Sequence, residues 1–63
     1  MEHQERGIGE LIKAGFRRVN CDDGLSRMVK SENNRTMVYQ STSRRTFEMI
    51  YDGKTEYVPE RFR

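Results

Sequence analysis

The sequence predicts an α+β fold: one short N-terminal helix packed on a four- to five-stranded antiparallel β-meander. Three observations carry this expectation. Residues 36–42 and 46–51 alternate, with Met37 and Tyr39, then Phe47, Met49 and Tyr51, on one face. Strict alternation marks a sheet with one packed face and one mostly wet face. Ile8, Leu11 and Ile12 fall at i, i+3 and i+4, an apolar stripe of helical spacing. Clusters of turn-forming residues divide the rest of the chain into short segments.

Residues 4–14 read as the amphipathic helix. Glu5 near its start and Lys13 near its end suit the helix dipole, and Gly15 can close it in the left-handed conformation. Gly7 and Gly9 each weaken a helix by roughly 1 kcal/mol relative to Ala, so this helix should depend on the sheet beneath it. Phe16 to Cys21 reads as a first strand, with Arg17, Val19 and Cys21 sharing a face. Asp22-Asp23-Gly24 is a turn. Leu25 to Ser31 fits the return arm of a hairpin, although Leu25, Met28 and Val29 also sit at helical spacing behind an Asp cap. The Asp-Gly turn and the shortness of the segment favour the strand. Glu32-Asn33-Asn34-Arg35 makes the next turn.

Asp52-Gly53 reads as a further turn, leading into a last strand from Thr55 to Val58. Its register stays open. A two-residue loop places Tyr57 opposite Glu48 on the wet face, and a three-residue loop places it opposite Met49 on the packed face. Pro59 ends the strand, having no N–H for the ladder. The whole chain, 1–63, reads as one domain, with 1–3 and 60–63 as frayed tails.

Composition narrows the function classes. Of 63 residues, 33% are hydrophobic and 35% charged, so the core is small. A chain of this length buries only about 60% of its unfolded surface. With one Cys and one His, Cys21 and His3, neither a disulfide nor a four-ligand zinc site can staple it. The polar N-terminus has no apolar segment behind it, and no apolar run is long enough to span a membrane. With a lone thiol, this points to the cytoplasm and away from a membrane.

Catalytic equipment is sparse. His3 is the sole imidazole and lies at the terminus, so Cys21 lacks an oriented base and reads as a small core hydrophobe. Asp22 and Asp23 suit turn geometry, whereas a hard-cation site needs about six oxygens. Gly7-Ile8-Gly9 lacks the rest of any phosphate-cradling motif. The expectation is therefore no enzyme, no cofactor, no metal and no catalytic residue.

The basic residues are the sharper candidates. The net charge is +2, yet residues 27–47 hold Arg27, Lys30, Arg35, Arg44 and Arg45 against Glu32 and no other acid. With Arg17 and Arg18, and with Tyr57 as an aromatic contact, these form the candidate partner-binding set. One expectation is a protein-binding regulator or inhibitor of a larger partner, acting through a sheet edge or the Arg/Tyr surface. An alternative is a nucleic-acid binder using Arg on phosphate and Tyr39, Tyr51 or Tyr57 for stacking. A third is a self-assembling subunit, a homodimer in the simplest case. Arginines that merely solubilise a sheet and protect its edges are the plainer reading. In size, charge density and lack of catalytic equipment, the chain resembles the small accessory proteins of bacteriophages, many of which bind and block one host component. That likeness is carried by overall character and not by a motif.

Overall fold

The computed structural model describes residues 5–20 and 26–62. His3, Cys21 and the expected Asp22-Asp23-Gly24 turn lie outside the described residues. In chain order the elements are β1 (Glu5–Gly7), α1 (Ile8–Lys13), β2 (Arg17–Asn20), β3 (Ser26–Glu32), β4 (Arg35–Ser41) and β5 (Thr46–Lys54). Two single 3-10 turns follow, Thr55–Tyr57 and Glu60–Phe62. The strands form one antiparallel sheet ordered β1-β5-β4-β3-β2. β2 to β5 is thus the expected meander, and 26–32 is a strand. The addition is β1, three residues that precede the helix and pair with the far edge of β5.

The helix is shorter than the 4–14 expected, because Glu5–Gly7 is spent on β1. Its C-terminus is a Schellman closure. Phe16 N–H donates to the Leu11 carbonyl at 3.0 Å and Gly15 N–H to the Ile12 carbonyl at 3.1 Å. Gly15 holds φ +100°, where a side chain would be strained. Lys30 adds a cation at this end, its Nζ donating to the Ala14 carbonyl at 2.7 Å. On this side of the sheet the core gathers Leu11, Met28, Tyr39 and Phe47, with Ile8, Phe16 and Met49 packed against them. The Phe16 ring meets Tyr39 edge-on at 5.3 Å. Ile12, the third member of the expected stripe, is 59% exposed. Successive residues of a helix lie about 100° apart around its axis, so with Leu11 turned into the core Ile12 is carried to the helix flank.

The β3–β4 hairpin turns at Asn33 and Asn34, both at positive φ, 53° and 67°, which is the geometry a two-residue loop demands. By contrast Asp52-Gly53 makes no turn. β5 runs straight through it, with Met37 opposite Asp52 and Thr36 opposite Gly53. The aspartate serves as an ion-pair partner, meeting Arg35 through two hydrogen bonds of 2.7 Å. The glycine leaves room for Tyr51. A Cβ at Gly53 would lie 3.0 Å from the Tyr51 hydroxyl, which donates to the Lys54 carbonyl at 2.7 Å.

A register shift between Val38 and Tyr39 leaves Ile50 as an extra residue on β5, since Val38 pairs with Tyr51 and Tyr39 with Met49. This bulge carries Tyr51 to the face opposite Phe47 and Met49, so the expected five-residue apolar face is not continuous. That opposite face is not wet either. Residues 55–58 are no strand: the chain leaves the sheet at Lys54, tied by Thr55 N–H to the Asn34 carbonyl at 2.8 Å. It then folds back across the second face, and the open question of the hairpin register disappears with the hairpin. Val38 and Thr36 are buried there, and so is Phe62. Glu60–Phe62, expected as part of a frayed tail, is an ordered turn because Phe62 has apolar surface to cover.

Candidate functional site

The surface that stands out lies where β2, the open end of β3 and the C-terminal turns meet. Among the described residues β2 pairs with β3 alone, from Arg17 opposite Val29 to Asn20 opposite Ser26. β2 begins at Arg17, so β3 has no described neighbour on that side from Lys30 to Glu32. A notch of about 240 Å³, walled by Gly15, Arg17, Val29 and Lys30, marks that gap.

The notch shares Val29 and Ser31 with a larger groove of about 450 Å³ on the second face of the sheet. Val29, Val58 and Phe62 give the groove apolar walls. Its polar wall is a hydroxyl chain: Ser31 Oγ lies 2.7 Å from Thr36 Oγ1, which lies 3.0 Å from Thr55 Oγ1. Three hydroxyls joined by two hydrogen bonds leave one O–H with no protein acceptor among the described residues. Glu56 adds a carboxylate on the tail side.

The expected cations do not form one surface. Arg17 and Arg18 are exposed on β2. Arg17 shares the groove face with its partner Val29, and Arg18 shares the helix face with Met28. Arg18 reaches Ser26 Oγ at 3.2 Å, and no carboxylate pairs with either arginine among the described residues. Arg27 is buried at 4% exposure, bonded to Gln40 at 3.1 Å and lying 5.3 Å from the Phe62 ring centre. It serves the packing of the tail, its guanidinium lying over the Phe62 ring.

Lys30 caps the helix and pairs with Glu32 at 3.1 Å. Arg35 is matched by Asp52, whose carboxyl is held below the ordinary carboxylate range by that guanidinium. A hollow of about 480 Å³ beside this pair is walled by Asn33, Asn34, the pair itself, Gly53 and Lys54. Arg44 and Arg45 are exposed on the β4–β5 loop, two strands away from β2 in the sheet order. The loop is built by Thr42 and Ser43, whose N–H groups both donate to the Thr46 carbonyl. The Arg45 carbonyl accepts from Ile8 N–H at 2.9 Å, so the arginine pair sits where the loop anchors the helix.

Of the tyrosines, Tyr39 is buried, Tyr51 is hydrogen-bonded to Lys54, and Tyr57 is 66% exposed on the first 3-10 turn. Among the described residues no helix is long and apolar enough to cross a membrane. No protein-family model, curated protein or solved structure matches the chain.

Sequence reasoning missed the groove, since its tail wall was read as a strand and a frayed end. Phe62, an apolar side chain three residues past a proline in an otherwise charged tail, was the available signal.

Proposed function

We propose that this chain is a non-enzymatic binding protein that docks on a larger protein and regulates or inhibits it. The contact is the sheet edge formed by β2 and the open end of β3. The observation that carries this reading is the one-sided ladder of β2. Its outer peptide groups can accept an added strand from a partner. Arg17 and Arg18 choose among partners. A second copy adding to β2 in a register that sets Arg17 opposite Arg17 or Arg18 would bring arginine beside arginine, so the edge disfavours those self-pairings and favours a segment carrying carboxylates.

The dispersal of the remaining cations supports a protein partner over a nucleic acid. Phosphate binding draws on a continuous basic surface with accessible stacking rings. Here Arg27 is buried, Arg35 is neutralised, and Tyr57 is the one strongly exposed tyrosine of the three. The test is capture from nuclease-treated lysate by the tagged chain and by its Arg18→Glu variant. The reading expects one protein at near-equal stoichiometry, reduced at least tenfold by the substitution. Recovery of nothing but the chain itself would overturn it. So would oligonucleotide binding that weakens steeply with salt, the signature of counterion release.

A further inference from the structure

We infer that the groove between the second sheet face and the C-terminal turns seats one apolar side chain of the partner's extended segment, while an acidic residue two positions away lies on Arg17. This rests on the protein-binding reading above and specifies the partner's chemistry.

Continuity is the first argument. The groove and the edge notch share Val29 and Ser31, so a segment laid beside β3 from Lys30 to Glu32 passes directly over the groove mouth. Alternate side chains of an extended segment point to the same face. One of them enters between Val29, Val58 and Phe62, and the next on that face reaches Arg17, which shares the face through its pairing with Val29.

Size is the second. About 450 Å³ lies within the range of small-ligand sites and exceeds what a single water needs. The third is polar matching. The uncommitted O–H of the Ser31–Thr36–Thr55 chain is a donor suited to a peptide carbonyl. Charge is the fourth. Arg17 has no carboxylate partner among the described residues, whereas Glu56 lies on the tail wall. The seat is cationic toward the edge and anionic toward the tail, which places the acidic residue at the edge end.

The experiment titrates the isotope-labelled chain with the peptide Gly-Ser-Glu-Thr-Leu-Thr-Ser-Gly, its reversed sequence, and controls with Lys for Glu or Ala for Leu. Amide shifts are followed by NMR. The inference expects one of the two acidic peptides to move Val29, Ser31, Thr55 and Val58, with affinity falling at least tenfold for both controls. Arg17→Glu should abolish the response, as should Val58→Arg, which fills the groove from its rim. A folded spectrum for each variant shows that the loss is local. No shift at millimolar peptide would overturn the inference. Equal binding of the Lys control would too, as would shifts confined to residues 42–45. A captured protein whose footprint avoids the groove refutes this inference while leaving the protein-binding reading intact. Failure to capture any protein refutes that reading itself.

Discussion

Replacing Phe47 by alanine tests the packing on which everything else is mounted. Phe47 is 2% exposed, packs in one cluster with Leu11, Met28 and Tyr39, and stands on β5 between β4 and β1. Truncating a buried Phe to Ala costs about 3–5 kcal/mol, the lost transfer energy plus the cavity left behind. At roughly 0.05–0.15 kcal/mol per residue, a chain of 63 residues has a total stability on the order of 3–9 kcal/mol. The substitution therefore removes a third or more of the stability and can unfold the domain.

Urea unfolding followed by circular dichroism reads this out. With a slope of about 1 kcal/mol per molar, typical of the smallest domains, the midpoint should fall by about 3 M or the transition should vanish. Ile12→Ala is the internal control. Ile12 is 59% exposed, so its loss should stay within about 0.5 kcal/mol. A loss under about 1 kcal/mol for Phe47→Ala, or a larger loss for Ile12→Ala, would refute the assignment of faces and the helix packing with it.

Other substitutions test other joints. Gly15→Ala should cost about 1–2 kcal/mol, because the new Cβ meets only Lys30 at ordinary contact distance while the residue sits at φ +100°; an unchanged urea midpoint would contradict the helix closure. Asp52→Asn should remove the pH dependence that Asp52 contributes. Its folded carboxyl is held below the ordinary range by Arg35. The pair's contribution is therefore complete above the unfolded carboxylate's range, near pH 4, and disappears as pH falls through the lower folded value. The stability gap between wild type and variant should close on acidification, and a gap that widens would show the sign to be wrong. Arg44→Ala with Arg45→Ala should leave the unfolding midpoint within about 0.5 kcal/mol, since both side chains are exposed. It should also leave protein capture intact. Lost capture with unchanged stability would move the contact from β2 to the β4–β5 loop.

Much of the sheet was legible because alternation is a local signal. Tyr39 and Phe47 read correctly as core, and Asn33-Asn34 as a turn. The failures share one cause, which is that tertiary context decided between two local options. Asp52-Gly53 has the composition of a hairpin turn, but Arg35 across the sheet supplies the aspartate with a partner and keeps the strand running. Tyr51 continues the alternation of Phe47 and Met49 on paper, and the bulge at Ile50 reverses it. Arg27 reads as one more surface cation until Phe62 folds over it. The candidate site was half legible: Arg17 and Arg18 were singled out, but as members of a basic surface together with Arg35, Arg44 and Arg45. The groove beside Arg17 brings Val29 and Ser31 together with Val58 and Phe62, residues roughly 30 positions apart in the chain, and no local pattern reports such a meeting.

The most direct test of the edge-docking account is hydrogen exchange on the complex with whatever protein the chain captures. The account predicts that protection on binding appears at β2, residues 17–20, and at residues 30–32 of β3, with residues 42–46 unchanged. Protection confined to the 42–46 loop, with β2 exchanging as in the free chain, would contradict it.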